Sequence, residues 1–257
     1  GVPVALVFYY FLKSSGAYWW LYFSIFIVFI TVILARLAPV LIFPLFYKFK
    51  EIEDGEIKDR IEKVLADAGI SIKGIFSFNM SKDTKKANAG FTGLGKTKRI
   101  ILSDTLVNDF SPAEIAVVFA HEAGHYVHKH IIKNLIFSTV VIFATLLICG
   151  KLHAITIDAM GISELHALQA LPVLMFYLSI SGLLMMPVTN FISRKYEFQA
   201  DEYSVRNTSD KDSFISAMNK LAEMNLADKE PHPAVEFLLY SHPSIKRRIE
   251  FAQKIVF

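Results

Sequence analysis

Three long runs without a charged residue decide what this chain can fold into: Ser14 to Ala35 (22 residues), Asn134 to Gly150 (17) and Leu165 to Ser193 (29). A helix needs roughly 20 apolar residues, within about 17–25, to cross the hydrocarbon of a bilayer, so each run is expected to be a membrane span. The chain is 53% hydrophobic and 20% charged, against about 45–50% and about 25% in soluble domains. A soluble enzyme and a disordered chain are both excluded. The net charge of +3 is small, and Lys and Arg are spread over two polar blocks, leaving no basic stripe for nucleic acid to follow. The single cysteine, Cys149, cannot form an internal disulfide and reads as a small buried residue within a span.

Four segments are expected. Residues 1–47 form an N-terminal membrane segment, in which Arg36, Pro39 and Pro44 give the first span a kinked exit. Residues 48–133 form a first polar block. Residues 134–193 form a membrane hairpin turning through Lys151–Glu164, and residues 194–257 form a second polar block. The chain opens at Gly1 without an initiator Met, and Val2 to Leu12 is too short to span, so further spans are expected upstream. Arg36, Lys48, Lys50, Lys129, Lys133, Arg194 and Lys195 put the heavier positive end of each span toward the polar blocks, which are therefore expected to face the cytoplasm.

In the first polar block, Ile57, Ile61, Val64, Leu65 and Ala68 recur at helical spacing, and Gly69 stops that helix. Strand-like runs follow at 74–78, 87–92 and 99–102, with Gly93 and Gly95 between the last two. Ser111-Pro112-Ala113-Glu114 then has the form of a helix start, with Ser111 as cap, Pro112 in the first helical position and Glu114 completing a capping box.

The helix it opens reads His121-Glu122-Ala123-Gly124-His125. Residues four apart share a helical face, so both imidazoles can reach one ion while Glu122 stands beside them as a base. A catalytic zinc takes a third protein ligand and keeps one position open. The membrane hairpin returns the chain at Arg194, just before Glu197 and Asp201, again four apart. This pair suits one ligand carboxylate and one carboxylate that orients a zinc imidazole, that of His121. His128, on the same face as the pair, reads as a polar helix residue; as a fourth ligand it would close the site, leaving a non-catalytic zinc scaffold. His130 falls half a turn away from His121. His153 and His166 flank the loop and His232 sits between prolines; all three read as structural or solvated. His242 precedes a helix bearing Arg247 and Arg248, and taken alone is a weak candidate for an oxyanion donor.

These residues together resemble the type I CAAX prenyl proteases, integral-membrane zinc metalloproteases. The likeness is carried by Pro44-Leu45-Phe46, by Asn88-Ala89-Gly90-Phe91-Thr92-Gly93 with Lys98-Arg99-Ile100, and by Asp104-Thr105-Leu106. It continues through the His-Glu-x-x-His helix, Ser193-Arg194 through Asp201, and Ser241-His242-Pro243. The resemblance implies a mainly α-helical membrane protein with a zincin-like catalytic domain containing a small β-sheet. It further implies one zinc per chain held by His121, His125 and Glu197, with Glu122 as acid/base and His242 as transition-state donor. Arg248 becomes a structural or substrate-contacting residue, and Asn88, Ala89, Gly90 and Phe91 become the edge strand that aligns a peptide by its main chain. The expected partners are the lipid bilayer and a peptide or protein substrate, prenylated in this family, in the bacterial inner membrane or the endoplasmic reticulum. Where the family carries an aromatic residue this chain has Gly90, and it supplies three of the family's roughly seven spans and part of a fourth. A shorter stress-protease group, HtpX-like, shares the zinc helix and the Glu-x-x-x-Asp segment and has no prenyl requirement.

Overall fold

The computed structural model describes residues 1–92, 98–226, 228 and 230–257; Gly93 and Gly95, which the sequence places between two strands, lie outside them. In chain order the elements are α1 (Val2–Ser14), α2 (Trp19–Leu37), α3 (Phe43–Phe46), β1 (Phe49–Glu51), α4 (Glu56–Ala68), β2 (Ile75–Phe78), β3 (Ala89–Thr92), β4 (Arg99–Ser103) and α5 (Asp104–Asp109). They continue with α6 (Pro112–Val127), α7 (His130–Ala159), α8 (Leu171–Thr208), α9 (Lys211–Met224), α10 (Pro233–Leu239) and α11 (Ile245–Lys254). Among the described residues the fold is mostly helical, with one small mixed sheet. It divides into two compact units, Gly1–Ala35 with Ile132–Val188, and Arg36–Ile131 with Thr189–Phe257. A π-helical turn at Ala38–Ile42 follows α2 and leads into α3.

The first unit is the apolar one. Three segments, Gly16–Leu37, His130–Ala159 and Leu171–Thr208, are long and apolar enough to cross a membrane. Leu12, Trp19, Phe23, Leu146, Cys149 and Leu174 pack together as its core. A Cβ at Gly150 would stand 3.2 Å from the Trp19 ring, so the small residue lets the indole lie against α7. Most of the apolar surface faces outward: Phe29, Ile136, Val140, Phe176 and Leu183 are each 60% exposed or more. Continuous apolar surface of this extent suits acyl chains and not water, and the protein is an integral membrane protein.

Two element ends differ from the sequence reading. Lys151 does not end α7, which runs on to Ala159 with Lys151 on its exposed side. His153 is consequently not beside a loop; it is buried in the helix, and its Nε2 lies 3.0 Å from the Leu165 carbonyl. Nor does α8 end with its apolar run at Ser193. Its polar continuation, residues 194–208, carries Glu197 and Asp201.

In the second unit the sheet order is β1-β2-β4-β3. β2 runs parallel to β4, while β1 and β3 pair antiparallel with β2 and β4. β1 escapes the sequence reading because three residues are too few to show a period of two. The core joins Ile61 and Leu65 of α4, Ile100 and Leu102 of β4, Phe119 of α6 and Phe214 of α9. Gly69 caps α4 at φ 63°, where a glycine avoids the Cβ clash.

α6 is fixed at its start and along its flank. Ser111 and Glu114 complete the capping box, and the Glu114 carboxylate also accepts hydrogen bonds from Ser216 and Lys220 of α9. Further along, α6 meets the polar continuation of α8 closely: Ser204 Oγ donates to the Val117 carbonyl at 2.6 Å. A Cβ at Gly124 would stand 3.0 Å from both Ala200 Cα and Tyr203 Cβ. Because one of those neighbours is backbone, Gly124→Ala should destabilise the protein by about 1–3 kcal/mol, the cost of overpacking. Denaturant unfolding in detergent checks this, and a change below about 0.5 kcal/mol would mean that the two helices are free to part.

Candidate metal centre

The close approach of α6 and α8 at Gly124 sets His121 and His125 opposite Glu197. His121 Nε2 and His125 Nε2 lie 3.1 Å apart, and they stand 3.4 and 3.3 Å from the two oxygens of Glu197. Donor atoms about 2.0–2.1 Å from a tetrahedral ion stand about 3.3–3.4 Å from one another, so three donors already hold the edges of such a site. Two imidazoles and a carboxylate are borderline-hard donors suited to zinc. Among the described residues this is the group of His, Cys, Asp and Glu side chains that converges closely enough to hold a metal ion.

The surroundings fix the ligand atoms. Asp201, fully buried, sits 2.8 Å from His121 Nδ1, so the ring gives its Nδ1 proton to the carboxylate and turns Nε2 toward the site. Burial alone would push the His121 imidazole down, but the Asp201 and Glu197 carboxylates outweigh it and raise its pKa to about 9. Burial likewise works against ionisation of Glu197, yet its contacts with His121 and His125 hold it far below the carboxylate range. Asp201 is held down in the same way, mainly by the charge of Arg248. Glu122 goes the other way: burial pushes its carboxyl up, and the neighbouring His121 and His125 only partly offset this.

The remaining expected residues fall into two groups. His242 Nε2 is 3.5 Å from Glu197 Oε1, its side chain is 63% exposed, and Ser241 Oγ lies 3.0 Å from its Nδ1. It therefore borders the three donors while staying open to a ligand. Arg248 does not fit the substrate-contacting role. It is buried, its Nε and Nη2 donate to the two oxygens of Asp201 at 2.9 and 2.6 Å, and its Nη2 is 3.8 Å from Glu197. A guanidinium buried against two acids fits the structural alternative, in which it holds Asp201 in place. His128 caps the end of α6 and rests edge-on to Tyr203, outside the donor group.

β3 lies at the edge of the sheet. Asn88 is exposed, but its backbone is held to the end of β4: its N–H donates to Ser103 Oγ, and its carbonyl accepts from the Ser103 N–H, both at 2.8 Å. Ala89 and Phe91 turn inward, Phe91 against the rings of Phe119 and Tyr126. Those side chains serve packing, which leaves the main chain of β3 for any extended peptide. Nothing lies within 4 Å of a Cβ added at Gly90. A side chain there would meet open space.

Comparison with known proteins places these residues among relatives. The family model "Peptidase family M48" matches residues 51–256, and "CAAX prenyl protease N-terminal, five membrane helices" matches residues 1–48. The chain is 33% identical over 253 residues to the "uncharacterized metalloprotease YhfN" of Bacillus subtilis, covering 97% of this chain and 59% of that protein. It is 32% identical over 246 residues to "CAAX prenyl protease 1" of Saccharomyces cerevisiae, covering 89% and 54%. The crystal structure of S. mikatae Ste24p superposes with a TM-score of 0.84 at 28% identity, over 98% of this chain and 62% of that one. The chain thus spans less than two thirds of the length of these relatives.

Proposed function

Because the chain belongs to peptidase family M48, we propose that it is a membrane zinc metalloendopeptidase of the CAAX-processing type. The observation that carries this reading is the convergence of His121, His125 and Glu197 donor atoms at 3.1–3.4 Å, with Glu122 one residue from the first ligand. His121, His125 and Glu197 hold one zinc, and Asp201 orients His121. When bound, zinc supplies Lewis acidity and lowers the pKa of a coordinated water to about 7.

The chain's own groups do the rest. A peptide lies extended along the outer edge of β3, hydrogen-bonded to the main chain between Ala89 and Phe91 and starting beside the exposed Asn88 side chain, in the manner of a strand added to a sheet edge. Glu122 takes the proton from the attacking water and returns it to the leaving amine. Burial pushes its carboxyl above the ordinary glutamate range, the direction that favours a group which must also give the proton back. His242 donates to the developing oxyanion from its open position beside Glu197. The substrate is the prenylated C-terminal peptide that the relatives' names indicate. The positive residues at the span ends favour a site facing the cytoplasm.

The test compares a farnesylated Cys-a-a-X peptide with the same peptide unmodified, before and after zinc removal by chelator. Cleavage should require zinc, return when zinc is restored and be faster on the farnesylated peptide. Equal rates would remove the prenyl preference and leave a broader membrane protease. Cleavage that survives chelation, with no zinc left in the protein, would overturn the metallopeptidase reading.

A further inference from the structure

Both imidazoles of the proposed site need their Nε2 lone pair free, and each needs an acceptor for the other ring proton. For His121 that acceptor is Asp201. For His125 it is a second histidine. His125 Nδ1 lies 2.9 Å from His130 Nδ1, and His130 Nε2 lies 2.9 Å from Gln199 Oε1. Only one arrangement of protons leaves His125 Nε2 free in a neutral ring: His125 gives its Nδ1 proton to His130, and His130 gives its Nε2 proton to Gln199.

His130 is built to hold that position. It is 2% exposed, its ring stacks on Tyr196 at 4.2 Å and 11°, and His128 stacks at 5.4 Å and 20°. Gln199 stands on α8 two residues after Glu197, so the helix that brings the carboxylate also brings the end of the relay. We propose that His130, fixed by Tyr196 and Gln199, is the positioning residue that sets the tautomer and ring orientation of His125 as a metal ligand. The inference rests on His125 being a zinc ligand.

The geometry separates this role from simple space filling. In His130→Asn the amide oxygen falls near the place of the ring Nδ1 and can accept from His125. In His130→Gln the amide lies near the place of Nε2 and cannot. His130→Phe keeps the stack on Tyr196 and has neither nitrogen. Zinc dissociation constants, measured by chelator competition on detergent-purified protein, should rise by about 10–100-fold in His130→Phe and His130→Gln, the usual effect of removing the group that orients a ligand. His130→Asn should stay within about threefold of wild type. The visible spectrum of the Co(II)-loaded protein should shift in the Phe and Gln variants and not in Asn. Thermal unfolding of each zinc-free variant reports whether it has folded. If Phe binds zinc as well as wild type, or if Asn and Gln lose affinity alike, the positioning role is overturned while the zinc site stands. A folded wild-type protein that binds no zinc would overturn both readings.

Discussion

Glu122→Gln should retain its zinc and lose about 10²–10⁴-fold in peptide hydrolysis, the range that a positioned acid/base contributes. The amide has nearly the shape of the carboxylate, so the packing around α6 survives. Glu122 is not among the three donors that converge at 3.1–3.4 Å, and zinc content should stay at one per chain. What disappears is a group that can take a proton from water and return it to the leaving amine. His121→Ala makes the contrast, because it should lose metal and activity together. The measurements are zinc per chain by elemental analysis and kcat/KM on one peptide. Undiminished cleavage by a zinc-loaded Glu122→Gln protein would remove Glu122 from the chemistry.

The parts of this site that the sequence displays are those encoded within one helix. Ser111 caps α6, and Glu114, His121, Glu122 and His125 lie on it, where cap chemistry and a spacing of four residues are visible directly. Glu197 and Asp201 are more than 70 residues further on, yet they can be traced because two long apolar runs return the chain to the side it left. His130 was hidden by a break in the helix. Counted along a continuous helix, it points away from His121. In the structure Lys129 adopts φ 57° between α6 and α7, and this one left-handed residue turns His130 back onto His125. Arg248 was hidden for another reason. From the sequence, an arginine six residues after His242 reads equally as a structural residue or as a substrate contact, and only the packing of α11 shows it buried over Asp201. Charge burial is a tertiary property with no periodic signal.

That burial gives the second large effect. Glu197 and Asp201 are buried with the half-buried Glu122 on the facing helix, and ionised carboxylates there call for positive charge close by. A zinc ion in the proposed site and the Arg248 guanidinium would balance all three carboxylates if each is ionised. Arg248→Met leaves a similar volume filled but strips Asp201 of both its guanidinium contacts. Removing one member of a buried ion pair costs about 3–5 kcal/mol, because the remaining charge stays desolvated and uncompensated. Unfolding stability should fall by about that amount, and His121 should lose its fixed tautomer as Asp201 rotates or takes a proton. Arg248→Lys keeps the charge without the two-pronged contact and should fall between the two. Pairing Arg248→Met with Asp201→Leu removes the unpaired acid, and stability should partly return while zinc affinity stays weakened, since His121 still lacks an acceptor for its Nδ1 proton. Stability of Arg248→Met within about 1 kcal/mol of wild type would show that Arg248 is not what compensates Asp201, and the charge balance of the site would have to be drawn differently.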